Sequence, residues 1–299
     1  MSLLDLRKQI TATVNTKAIT KAMQLVAANK MKTFVREAHA ARAYFHELER
    51  GYCEVSSLVS SDALPVLSGE KTLFILFTSD KGLCGALNMR VMKALLASDA
   101  WRSTPEHQRV VITFGRKGYD QARRLKMRID KHILRAPESL NAQLAWRFFG
   151  EVLDSIITGN VGAVYAAHPV HETAFSFRVQ VTRISRDPDQ RVSLDARDAA
   201  RAERALVEPS HTDYLRTLEK RMLEAKIIAS VAELKATEYS SRMVAMQKAT
   251  DAATERIATL TTAYHKARQS LITQELAELS AAGEAMTSAY AYEIPLINA

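Results

Sequence analysis

Two stripes of residues at opposite ends of the chain constrain its fold more than any other feature. The first runs Met31, Phe34, Ala38, Ala41, Phe45, Leu48, Tyr52, Val55, Val59. The second runs Met243, Met246, Thr250, Ala253, Ile257, Leu260, Tyr264, Ala267, Leu271. Steps that alternate three and four place each set on one face of a helix, the seam of a coiled coil. Nothing interrupts either helix: residues 1–50 contain no Gly or Pro, and none occurs between Ser210 and Gly283. Ser2 is a good N-cap for the first. At about 1.5 Å per residue, a helix over 212–283 would extend on the order of 100 Å, too long for a globular domain to hide, so it is expected to project as a rod. The stripes most simply pack on each other, antiparallel because the middle of the chain returns it. Ala, Thr and Met outnumber Leu and Ile along the seam, so it buries little apolar area per turn. A rod of this kind calls for support from a surrounding sleeve.

Nearly all the glycines and prolines lie between Gly51 and Pro209. There the pattern alternates. Strands are expected at 71–79, 109–115, 126–134, 161–168 and 173–185, the last two as an antiparallel edge hairpin joined by "PVHE". Helices are expected at 86–98, after 115, and at 139–158 with Ser139 as cap. Alternation of this kind implies a mainly parallel sheet covered by helices. The fold class is thus α/β: a long antiparallel N-/C-terminal coiled coil with a central Rossmann-like domain. The expected boundaries are 1–60 for the N-terminal helix, 70–186 for the central domain, 187–209 for a mobile connection, 210–283 for the C-terminal helix and 284–299 for a tail. Gly283 is where the long helix is expected to weaken or stop.

Net charge is +8 in 299 residues. The excess concentrates in residues 1–36 and 116–135, patches that seek acidic partners, either nucleic acid or an acidic protein surface. No apolar run approaches the eighteen residues that span a bilayer. The start "MSLLDLRKQI" lacks the layout of a signal peptide, so the chain is expected to begin here, in the cytosol or an equivalent compartment. Two cysteines, Cys53 and Cys84, suit a reducing compartment.

Catalytic motifs are missing. In "SDKGLCGALN" (79–88) Gly82 and Gly85 follow a strand, but the G-x-x-x-x-G-K-[ST] phosphate loop and the G-x-G-x-x-G fingerprint are both absent. The two glycines read as turn geometry. Pro169 in "HPVHE" (168–172) rules out a helical His pair for metal. No catalytic residue, cofactor site or metal site is expected.

Four blocks carry a resemblance. "NTKAITKAMQLVAANKMK" (15–32), "SDKGLCGALN" (79–88), "SSRMVAMQKATDAA" (240–253) and "AYHKARQSLITQELAEL" (263–279) are similar, in the same order, to motifs of the gamma subunit of F-type ATP synthases. Lys81 stands where that family usually has arginine, Ala86 where it has a second glycine, and Ala252 and His265 where it has asparagine. The tail "EAMTSAYAYEIPLINA" runs past the usual end. The resemblance implies a non-catalytic central rotary shaft. Such a shaft enters a ring of alpha and beta chains, sits on the membrane rotor ring of c subunits and binds epsilon. It couples ion flow to ATP synthesis on beta. Arg268, Gln269 and Thr273 match positions that hydrogen-bond beta near the top of the shaft. Asp80 and Lys81 fall at the junction of globular domain and coiled coil, available for polar contacts to neighbouring chains. The implied location is peripheral, on the cytoplasmic face of a bacterial inner membrane. A nucleic-acid-binding coiled-coil protein is the alternative that the basic patches raise.

Overall fold

In a computed structural model, the structure describes residues 2–56, 67, 69–133, 150, 152–154, 156, 158–185, 207, 208 and 210–292, with side chains to 286. Helix α1 spans Leu3–Ser56. Strand β1 (Lys71–Phe77) is followed by α2 (Leu87–Ala97), α3 (Asp99–Ser103), β2 (Arg109–Phe114), α4 (Arg116–Arg124), β3 (Ile129–Ile133), β4 (Val161–His171) and β5 (Phe177–Arg183). Helix α5 runs His211–Tyr292. Most of the mobile connection expected at 187–209 and most of the helix expected at 139–158 fall outside the described residues. The chain divides into two compact units, one of Met1–Met23 with Met246–Ala299, the other of Gln24–Ala245.

Both long helices start on reciprocal caps. Ser2 Oγ accepts the Asp5 amide and the Asp5 carboxylate accepts the Ser2 amide. Ser210 Oγ accepts the Asp213 amide and donates to its carboxylate. Each cap satisfies amides that the first helical turn leaves without partners.

In the larger unit the sheet order is β3-β2-β1-β4-β5, parallel except for β4–β5. Phe74, Phe77, Leu73, Ile75 and Leu76 of β1 are fully buried because both faces of this central strand are covered; a strand in that position reads as an unbroken apolar run. The edge hairpin forms, but "PVHE" is not its turn. Pro169 sits inside β4, opposite Val179, and the chain reverses over residues 172–176. The strand tolerates proline there because the β1 pairing of β4 ends at Ala167, so the missing N–H costs no bond to that neighbour.

Helix α5 is buried on two sides. Ile227, Val231 and Leu234 join the core of the sheet, while Ala232, Ala236 and Tyr239 pack with Ala27, Phe34 and Ala38 of α1. The pairing with α1 is antiparallel: Phe34 stacks on Tyr239 (centroids 5.2 Å, planes 3° apart), Arg42 meets Glu233, and Tyr52 Oη donates to Glu219 at 2.8 Å. Alanines at this crossing let the backbones approach closely. Every residue from 231 to 240 is consequently buried, Glu233, Lys235 and Glu238 included.

Among the described residues of the smaller unit, those buried are Leu6, Thr20, Met246, Thr250, Ala253 and Leu260. Thr250 Oγ1 donates to Thr20 Oγ1 at 2.9 Å. Helix α5 does not stop at Gly283. It continues to Tyr292, since a single exposed glycine costs a helix only about 1 kcal/mol and no proline intervenes before Pro295.

Candidate functional site

The loop at residues 79–88 follows β1 at the C-terminal edge of the sheet, where parallel α/β proteins commonly bind ligands. Here the chain itself fills the position. The first amides of α4 would be a natural anion cradle. Instead, Arg116 N–H donates to Asp80 Oδ1 (3.1 Å), Lys117 N–H to the Ser79 carbonyl (3.1 Å) and Gly118 N–H to Thr78 Oγ1 (2.8 Å). Asn88 Oδ1 accepts the Ser79 amide at 2.9 Å, and Asn88 Nδ2 donates to Ser79 Oγ at 2.9 Å and to Cys84 Sγ at 3.4 Å. Leu83 and Gly85 both take positive φ, 63° and 60°, to close the turn. Gly115 starts α4 at φ 86°, where an added Cβ would lie 2.1 Å from the Thr78 carbonyl oxygen. The loop is a joint. It is tied across to α5 by Arg242, which donates to the Gly82 carbonyl at 3.3 Å and to Glu238 at 2.7 Å while lying 5.3 Å from the Tyr239 ring centre. Asp80 therefore holds α4 from within the chain, and Lys81 is exposed.

A cleft of about 410 Å³ lies between α1 and the β4–β5 hairpin, lined in part by His39, Arg42, His171, Arg178 and Glu233. Its charges are matched internally. The buried Glu233 carboxylate takes Arg42 and accepts the His171 amide at 2.8 Å; Arg178 lies 3.8 Å from Glu172. Burial pushes the His171 imidazole below its ordinary pKa. Deeper in β4, burial lowers His168 to about 4, against an opposing pull from Glu233. Both rings are neutral at physiological pH. Among the described residues no group of three or more His, Cys, Asp or Glu could hold a metal ion. Cys53 and Cys84 are free thiols.

The other candidate residues lie far along α5. Arg268, Gln269 and Thr273 are all exposed; Thr273 Oγ1 donates back to the Gln269 carbonyl at 2.9 Å. The seam that buries Ala253 and Leu260 ends there. From residue 268 to 286 every side chain is exposed, including Leu276 (60%) and Leu279 (70%). Within its unit α1 begins at Leu3, and the described chain offers this stretch no second helix. The structure thus leaves Arg268, Gln269 and Thr273 on one exposed stretch of α5 and sets Asp80 and Lys81 in the joint of the other unit. The buried ionic residues Glu233, Lys235, Glu238 and Arg242 gave no signal of their own in the sequence.

A mainly parallel sheet whose ligand edge is occupied by its own side chains, with a long C-terminal helix packed antiparallel on the N-terminal one, defines an α/β protein with a coiled-coil helix pair. The family model described as ATP synthase matches residues 2–286. The ATP synthase gamma chain of Dichelobacter nodosus is 31% identical over 286 residues, covering 94% of this chain and 98% of the relative. That of Geotalea daltonii is 30% identical over 95% and 99%. Among solved structures, a chain of the Euglena gracilis mitochondrial ATP synthase OSCP/F1/c-ring assembly superposes with a TM-score of 0.71 at 17% identity, over 99% of this chain and 98% of that one. A chain of the Tetrahymena thermophila central stalk and c-ring gives 0.56 at 21% identity, over 77% and 99%; these likenesses concern the fold. The chain belongs to the ATP synthase gamma chain family, the non-catalytic central stalk of F-type ATP synthases. No described helix is long and apolar enough to cross a membrane.

Proposed function

We infer that this chain is the rotating shaft of a bacterial F-type ATP synthase, peripheral to the cytoplasmic face of the inner membrane, with alpha, beta, epsilon and the ring of c subunits as partners. The observation that carries the reading is the stretch from 268 to 286: a continuous helix with exposed Leu271, Ile272, Leu276 and Leu279 and no partner helix among the described residues of its own chain. A sleeve of alpha and beta chains supplies that partner. Chemistry takes place on beta, and the shaft transmits torque.

Within this reading Arg268, Gln269 and Thr273 contact beta. Arg268 offers a two-pronged donor fork to a carboxylate, which sets an angular stop, and Gln269 adds an amide beside it. Lys81, with Asp80 at its side, supplies polar contacts to neighbouring chains at the junction. Torque leaves the α/β unit through α5, and the buried Glu238–Arg242 pair with its bond to Gly82 fastens α5 to the loop after β1. The functional segments are α1 (Leu3–Ser56) and α5 (His211–Tyr292) with the α/β domain between them. Affinity purification of the native complex through a tag on this chain tests the reading. Alpha, beta and epsilon chains co-purify if it is right, and recovery of the chain without them contradicts it.

A further inference from the structure

The turn from α4 into β3 carries a feature the shaft role does not use. Arg123, Arg124, Leu125, Lys126 and Arg128 are all exposed, Leu125 to 51%. The turn is fixed rather than loose. Lys126 N–H donates to the Arg123 carbonyl at 3.0 Å and Met127 N–H to the Ala122 carbonyl at 3.0 Å, the paired bonds that end a helix with one left-handed residue. Met127 packs on the sheet core, and the Arg128 carbonyl accepts the Val111 amide at 2.9 Å. Anchored on both sides, the turn holds Leu125 outward with cations before and after it.

The left-handed residue is Lys126, at φ 54°. Glycine is favoured at that position, and a side chain there is strained. Cations at a helix C-terminus are ordinarily explained by the helix dipole. That accounts for Arg123, which also lies over the Tyr119 ring, and for Arg124. It does not account for a lysine at a position where glycine fits better, or for Arg128 beyond it. The nearby acids, Asp120 and Asp130, are outnumbered.

The tip also faces a defined way. The strands of the parallel sheet begin at one end, marked on α5 by Lys226, which donates to the Arg183 carbonyl at 3.2 Å. They finish at the other, marked by Arg242 on Gly82. The α4–β3 turn precedes β3 and so belongs to the end nearer His211, where α5 begins. All of residues 123–128 except Met127 are exposed, so the turn does not enclose a single phosphate. An exposed apolar residue with cations before and after it matches a flat anionic interface, with Leu125 entering the headgroup layer.

We propose that the Arg123–Arg128 turn is a contact site for anionic phospholipid headgroups, steadying the α/β unit on the bilayer surface. This rests on the reading that the unit lies against the membrane rotor ring. The test is partition of the full-length chain onto vesicles of phosphatidylglycerol and phosphatidylcholine, against vesicles of phosphatidylcholine alone. Lys126→Gly, Arg124→Gln with Lys126→Gly, and Leu125→Ser are compared with Lys93→Gln, an exposed control on α2. Lys126→Gly relieves the left-handed strain, so it melts no lower than wild type, which removes misfolding as an explanation. Partition onto anionic vesicles falls about fivefold for each cation removed and falls for Leu125→Ser, while the control and the background from the cations of α1 stay unchanged. Wild-type partition in all the tip variants overturns the proposal. So does an equal loss on neutral vesicles. Displacement by inorganic phosphate at matched ionic strength assigns the tip to a free anion instead, and tip variants that partition normally but lose the rotor ring assign it to an acidic protein loop; either result overturns it. The vesicle measurement involves no alpha or beta chain, so its failure is distinct from failure of the shaft reading, which shows as lost co-assembly.

Discussion

The backbone N–H of His171 on β4 donates to the Glu233 carboxylate on α5 at 2.8 Å, and the same carboxylate holds Arg42 of α1. One buried acid thereby pins three elements: the hairpin, the long C-terminal helix and the N-terminal helix. Glu233→Ala leaves a buried amide and an arginine without their acceptor. Breaking a fully buried pair costs about 3–5 kcal/mol; with Arg42 partly exposed, the expected loss is about 2–3 kcal/mol. Urea unfolding monitored by circular dichroism measures it, and Glu233→Gln, which keeps an acceptor, recovers part of the loss. A Glu233→Ala midpoint equal to wild type contradicts this account of the junction.

Gly115 tests the joint after β1. An alanine there must hold φ 86° with its Cβ 2.1 Å from the Thr78 oxygen. The turn must open, and α4 then loses the Asp80, Ser79 and Thr78 acceptors of its first amides. Gly115→Ala is expected to cost about 3 kcal/mol or more, read as a lowered thermal midpoint. Gly283→Ala, an exposed position inside α5 with nothing within 4 Å of the new Cβ, is expected to leave the midpoint unchanged or raise it.

His168 sets a pH dependence. Its folded pKa is held near 4 by burial, against about 6.5 unfolded. Only the unfolded chain takes up this proton between those values, so stability is retained above about pH 6.5 and lost as pH falls toward 4. The full shift corresponds to about 3 kcal/mol. Burial lowers His171 as well, which adds to the loss in the same direction. The unfolding free energy of a His168→Gln variant depends less steeply on pH in this window. Equal slopes for variant and wild type would show that His168 is not the group responsible.

The seam was legible because its period is strict and its residues apolar: Phe34, Ala38, Phe45, Tyr52 and Val55 are all buried in the structure. Strand β1 was legible because a central parallel strand needs no polar face. The polar interior of α5 was not. Glu233, Lys235 and Glu238 carry no local signal of burial; it follows from α5 being enclosed by both α1 and the sheet, a tertiary fact no local pattern carries. Pro169 was misread as a turn because a strand that outruns its neighbour tolerates proline. Gly283, where the helix was expected to weaken or stop, does not stop it, because an exposed helix absorbs one glycine at small cost. The phosphate question raised by Gly82 and Gly85 is answered by Asp80, Ser79 and Thr78, whose acceptors already engage the start of α4.

Arg268 and Gln269 test the upper contact. Arg268→Ala with Gln269→Ala removes two exposed side chains from α5 without touching its core, so the isolated chain keeps its helix content and thermal midpoint. Each charge-assisted bond lost to beta is worth roughly 1.5–3 kcal/mol, and the assembled complex is expected to show weakened coupling, read as a lower ratio of ATP synthesised to ions translocated. Wild-type coupling in the double variant places the contact elsewhere on the shaft.

Rotation tests the central claim most directly. A probe attached through Lys93→Cys on α2, in a chain with Cys53→Ala, reports the angle of the α/β unit while alpha and beta chains, reconstituted with it, are fixed to a surface. On addition of ATP, the account predicts stepwise turning of the probe in one direction, stopping when ATP is exhausted. ATP hydrolysis at the full rate with the probe stationary would contradict it.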